Sequence, residues 1–148
     1  SIVAYNGIQE RAKLAQQTAQ LDKIGRAIEL WSAETGKSLG ESGAGYNGNG
    51  LGYFTVKGTG AYPATSIEDL LRNSGYLTGE FDSEVFTASN VMLAPCTDYS
   101  STKWVVLATV SPAPPQSAAE QISETGCTSS LITSYTSGSY SRNLLRAY

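Results

Sequence analysis

From residue 1 to about 35 the chain contains no proline and only two glycines, Gly7 and Gly25. Apolar residues recur there as Leu14, Leu21, Ile24, Ile28 and Trp31, and the spacings of 3, 4 and 3 over the last four mark one face of an α-helix. A thinner row, Ile8, Ala12, Ala15 and Ala19, carries the periodicity toward the N-terminus. Charges fall between the rows, at Glu10, Arg11, Lys13, Asp22, Lys23, Arg26 and Glu29. At 1.5 Å per residue a helix over 1–35 is about 50 Å long, more than a domain of this size can cover. Its C-terminal half has large apolar side chains suited to a sheet. Its N-terminal half is mostly alanine, glutamine and charge, and ends in Ile2, Val3, Ala4 and Tyr5. Leu21, Ile24, Ile28 and Trp31 are therefore expected to hold the helix to its own sheet. The N-terminal half is expected to pack against a partner. Gly36 supplies the stop.

Residues 36–60 carry nine glycines, at 36, 40, 43, 45, 48, 50, 52, 58 and 60, and read as a loop. After Tyr62-Pro63, Ser66 is a good N-cap with Glu68 and Asp69 in the first turn, so a short helix Ile67–Asn73 is expected before Gly75. From there the pattern turns to strands: Val91–Ala94, Lys103–Val110, Leu131–Tyr135 and Tyr140–Leu145. The near-continuous apolar run Lys103–Val110 predicts a central strand, and Ser137-Gly138 a hairpin turn. Ser111-Pro112-Ala113-Pro114-Pro115 predicts an extended exposed connection. The expected fold is α+β, one long helix across an antiparallel sheet of about four strands. The single domain 1–148 divides into the helix (1–35), the glycine-rich loop and short helix (36–90), and the sheet with a loop closed by a disulfide (91–148).

Composition narrows the function. At 148 residues the chain has length for one domain. Ten basic against thirteen acidic side chains give a net charge of −3, which argues against nucleic acid as a partner, because such binders need a cationic face. Arg142 and Arg146 are expected on one strand face with Tyr140 and Tyr148, but two arginines are too few to reverse that. Histidine is absent, which removes Ser–His and Cys–His nucleophiles, imidazole-bound zinc and the usual pH switch. Two cysteines exclude a four-thiolate metal site. The reading is a protein that is not an enzyme and carries no cofactor. Cys96 and Cys127 stand 31 positions apart, far from redox spacing. They are a disulfide in an exported chain, or buried free thiols in a cytosolic one. No apolar run reaches the roughly 18 residues that span a bilayer. Either the chain is cytosolic, or a targeting segment upstream of Ser1 has been removed.

Several motifs tempt and fail. Gly43-Ala44-Gly45-Tyr46-Asn47-Gly48 spells G-x-G-x-x-G, but a helix has just ended and no helix opens after it, as a dinucleotide site requires. Gly36-Lys37-Ser38 resembles the end of a phosphate loop, whose first glycine would fall on Trp31. Glu80, Asp82 and Glu84 could offer oxygens to calcium, though a solvated chain edge is the better reading. Nine tyrosines are scattered along the chain and are expected as half-buried sheet and loop residues rather than as a glycan-stacking set.

Ile2-Val3-Ala4-Tyr5-Asn6-Gly7-Ile8-Gln9-Glu10-Arg11-Ala12 resembles the point where the membrane-spanning part of a type IV pilin helix passes into its soluble part. Leu30-Trp31-Ser32-Ala33-Glu34-Thr35-Gly36 looks like that family's helix end. Ala61-Tyr62-Pro63, Leu70-Leu71 and Gly75-Tyr76-Leu77 resemble its next element. The likeness covers about 1–35 and 61–78 and is only architectural beyond. The loop 36–60 is a departure from the shorter family members, and the family's acidic docking residue has no counterpart here. The resemblance implies a pilin-like fold and a structural subunit of a surface filament for attachment and motility. It implies a precursor anchored in the cytoplasmic membrane by an apolar segment absent from this sequence. The implied partners are copies of itself, other pilins, the pilus assembly machinery and a host or neighbouring cell surface. Ile2, Tyr5, Ile8, Ala12, Ala15 and Ala19 are expected to line contacts between subunits. A pseudopilin of a secretion or DNA-uptake machine and a surface adhesin module are the alternatives.

Overall fold

The structure, a computed structural model, describes residues 2–148; Ser1, where the expected helix begins, and the side chain of Val3 lie outside the described residues. Helix α1 (Ile2–Thr35) opens the chain. It stops at Gly36, whose φ of 70° disfavours any side chain and whose N–H closes the last turn on the Ser32 carbonyl at 2.9 Å. The strands are β1 (Gly52–Tyr53), β2 (Met92–Pro95), β3 (Trp104–Ala108) and β4 (Leu144–Ala147). They form one antiparallel sheet in the order β1-β2-β3-β4. Helix α2 (Ile67–Asn73) starts where Ser66 accepts the Asp69 N–H. Two further helices, α3 (Ala118–Thr125) and α4 (Ser130–Thr136), lie between β3 and β4 in the chain.

Successive strand side chains point to opposite faces, and burial follows that period. Leu93, Trp104, Val106, Ala108 and Leu144 join Leu21, Ile24, Ile28 and Trp31 of α1 in one core. Met92, Ala94, Val105, Leu107 and Leu145 join Ile132 and Tyr135 of α4 and both cysteines in a second. The architecture is therefore α1, sheet, then α3 with α4. β3 is buried along its whole length because it is an interior strand covered on both faces.

The α+β class and the four antiparallel strands agree with the sequence reading, but the strands are not all the expected ones. Leu131–Tyr135 is helical: the Ser129 hydroxyl accepts the Leu131 N–H, and Ile132 and Tyr135, three apart, are the buried pair. Alternation would have buried Thr133, which is exposed. The last strand runs Leu144–Ala147 rather than Tyr140–Leu145, so Ser137-Gly138 joins α4 to β4 and turns no hairpin. The fourth strand is β1, supplied from within residues 36–60. That stretch is folded: a 3₁₀ turn at Leu39–Glu41, a bridge between Tyr46 and Leu51, then β1. Close approach dictates its composition. A Cβ on Gly52 would lie 2.4 Å from the Tyr62 hydroxyl, and one on Gly40 would lie 2.0 Å from the Tyr99 carbonyl oxygen.

Candidate functional site

The side of α1 away from the sheet is the first candidate. Ile2, Tyr5 and Ile8 are 79%, 61% and 64% exposed, and Ala12, Ala15 and Ala19 are exposed too. Leu21, Ile24, Ile28 and Trp31 are buried. With 3.6 residues per turn each residue advances about 100°, which places Ile8, Ala12, Ala15 and Ala19 opposite the buried row and Tyr5 toward the edge of that outer face, while Ile2 lies off it, about 60° from the centre of the buried row. The thin row therefore does not extend the buried face; it is a second face. Leu30, 51% exposed, lies on this outer side and was not picked out by periodicity alone.

The rest of the molecule takes hold of α1 near its middle. Leu14 is partly buried against the core, and the Gln17 side-chain amide donates to the Ser111 carbonyl at 3.2 Å. Among residues 2–12 whose burial is described, only Gly7 is other than exposed. That segment spans roughly 16 Å of helix. Further along, Gly25 is where the ring of Tyr148 lies on the helix: a Cβ there would come within 2.2 Å of the ring. The Tyr148 hydroxyl donates to the Asp22 carboxylate, and burial, then that carboxylate, push its pKa up. Arg146 adds an ion pair to Asp22 at 3.6 Å.

The expected stripe of Arg142, Arg146, Tyr140 and Tyr148 does not form. Arg142 precedes β4, is buried, and donates to the carbonyls of Asn90 at 2.8 Å and Tyr140 at 2.7 Å. Buried, with Nε and Nη1 each donating to the protein's own backbone, it is no part of an exposed cationic stripe. Glu80, Asp82 and Glu84 are exposed, and the Asp82 carboxylate accepts the Glu84 N–H at 3.0 Å. Among the described residues no three His, Cys, Asp or Glu side chains are gathered to hold a metal ion. Gly43–Gly48 closes on itself through a 3.1 Å bond from the Gly43 N–H to the Gly48 carbonyl, and no helix begins at its end. Cys96 and Cys127 are joined, with 4.6 Å between their Cα atoms.

The tyrosines, scattered along the chain, are gathered in space. Tyr46, Tyr53, Tyr62, Tyr99, Tyr135 and Tyr140 line one cleft with a volume of about 490 Å³. They come from the 36–60 stretch, β1, the Pro63 connection, the segment after β2, α4 and the α4–β4 link. Spread over nearly a hundred positions, they showed no local period; only the pairing of β1 with β2 and the packing of α4 on β2 bring them together.

No family model, curated protein or solved structure matches this chain. Among the described residues, no helix is long and apolar enough to cross a membrane.

Proposed function

We propose that the chain is the folded subunit of a type IV pilus-like filament and assembles through the outer face of α1. One observation supports this most: a 34-residue helix buries one side in its own core while the opposite apolar row stays exposed. Apolar side chains at Ile2, Tyr5 and Ile8, followed by small ones at Ala12, Ala15 and Ala19, suit close approach of another long helix. Burial of such a row against sister copies removes apolar area from water at roughly 25 cal/mol per Å². Head-to-tail contacts of one surface with a different surface yield an open filament when their rotation does not close into a ring. In this reading the subunit is held in the cytoplasmic membrane before assembly by an apolar segment of the precursor and ends on the cell surface, where it meets other pilins and neighbouring cells.

The test separates folding from assembly. Ala12→Glu, introduced into the full gene product in its own cells, should leave the domain folded and disulfide-bonded while electron microscopy finds no filaments. Leu21→Ala, by contrast, should lower the melting temperature of the domain itself, since a buried Leu→Ala costs about 2–5 kcal/mol. Normal filaments from Ala12→Glu, or unfolding of the isolated domain by that change, would end the proposal.

A further inference from the structure

We infer that the tyrosine-lined cleft is a binding site for a neutral saccharide. The cleft lies beyond the sheet from α1: it is walled by β1, by Met92, whose side chain belongs to the core on the α4 side, and by α4 itself. Its volume, about 490 Å³, falls within the roughly 300–1,000 Å³ of small-molecule sites.

The rings form a connected wall. Tyr46 meets Tyr62 at 5.5 Å between centroids, Tyr62 meets Tyr53 at 6.5 Å, Tyr53 meets Tyr140 at 6.4 Å, and Tyr140 meets Tyr135 at 5.5 Å. Interplanar angles of 42° to 72° mean that none of these four pairs is stacked in parallel. The rings are packed tilted or edge-to-face around the cleft they line. Hydrogen-bonding capacity is left over as well. Of the six phenols only Tyr62 has its hydroxyl engaged among the described residues, accepting the Tyr53 N–H at 3.0 Å. The Tyr135 side chain is largely buried, which raises its pKa to about 12, and its hydroxyl has no hydrogen-bond partner among the described residues, though it is not one of the atoms sealed from solvent. Asn47, Asn49 and Ser134 border the cleft, and their side chains donate to no other described group.

The lining decides the ligand's charge. No Asp, Glu, Lys or Arg lines the cleft among the described residues. An anion would find no cation in the lining, because Arg142 is buried and does not border the cleft. A quaternary ammonium would meet the Arg142 guanidinium already placed 5.7 Å from the Tyr53 ring, and two cations at one ring repel. Aromatic rings for C–H groups, with phenol, amide and hydroxyl groups among them, match a neutral sugar. Proline-rich peptide is the other aromatic-groove ligand, and binding measurements tell it from a sugar.

The experiment uses the 148-residue chain and an array of neutral and acidic glycans, followed by calorimetric titration with a retained neutral oligosaccharide. Tyr140→Ala and Tyr46→Ala remove two partly exposed rings of the wall and should each weaken binding about tenfold or more, the scale of one lost stacking partner. Tyr5→Ala, on α1, should bind normally, as should Ala12→Glu; failure here thus leaves the filament proposal standing. Circular dichroism melts confirm that the variants are folded. Retention of no neutral glycan, retention of acidic glycans or proline-rich peptides alone, or binding indifferent to both cleft substitutions would overturn the inference.

Discussion

At the scale of single residues, the two glycines of α1 behave as opposites. Nothing lies within 4 Å of a Cβ built on Gly7, whereas one on Gly25 collides with the Tyr148 ring. Alanine gains up to about 1 kcal/mol over glycine inside a helix, while overpacking costs about 1–3 kcal/mol. Gly7→Ala should therefore raise helical ellipticity without lowering the melting temperature. Gly25→Ala should lower it by about 2–4 °C, the shift that 1 kcal/mol gives in a chain of this length. A Gly25→Ala protein as stable as the parent would mean that Tyr148 does not rest on the helix. Buried phenols give a second consequence. The pKa of Tyr135 is pushed from 10.0 to about 12, and that of Tyr148 is also raised, both chiefly by burial. In that interval the folded chain holds protons that the unfolded chain has released. The corresponding stability is present in full below pH 10 and is lost as pH rises through the folded values. Urea midpoints should fall between pH 10 and 12, and the double variant Tyr135→Phe, Tyr148→Phe should flatten that fall. An unchanged slope would assign the alkaline loss to other groups.

At the scale of elements, the sequence near the C-terminus carries helix signals that the strand pattern masks. Ser117 and Glu120 form a capping box, each side chain accepting the other's backbone N–H, and Gly126 closes α3 with a φ of 70°. S-A-A-E followed by glycine was available in the sequence. Leu-Ile-Thr-Ser-Tyr at 131–135 was harder, because its β-branched residues favour strands and a run so short fits either period. Gln121 of α3 then fixes β4, donating to the Asn143 carbonyl at 2.8 Å and accepting the Leu145 N–H at 2.9 Å. Cys96–Cys127 ties this helical layer to the end of β2 across 31 positions. The chain-entropy model values such a link at roughly 3–4 kcal/mol. Replacing both cysteines by serine should lower the unfolding free energy by about that amount in guanidinium titrations. A change below 1 kcal/mol would show that the α3–α4 layer is held by packing alone.

For the whole molecule, the sheet separates two surfaces that have different tasks in the proposals made above. On one side α1 is clasped only from about Leu14 onward and leaves Tyr5, Ile8 and Ala12 exposed along its free length. On the other, the folded 36–60 stretch and α4 enclose the tyrosine cleft. Substitutions on one side should leave the other side's activity intact, so that Tyr140→Ala still assembles in cells and Ala12→Glu still binds sugar. Loss of both activities from either change would join the two sides through folding and not through separate sites.

The sequence by itself determined what depends on neighbours along the chain: α1 from its 3–4 spacing, α2 from Ser66, β3 from its apolar run, and the stop at Gly36. It also divided α1 into a heavily apolar half and a thin one, because residue size is local information. Only the tertiary structure decided which chain segment completes the sheet, that α3 and α4 cover its second face, and that six dispersed tyrosines share one cleft. Those outcomes rest on contacts between residues tens of positions apart, where loop closure and burial on both faces of β3 outweigh the weak preferences of short segments.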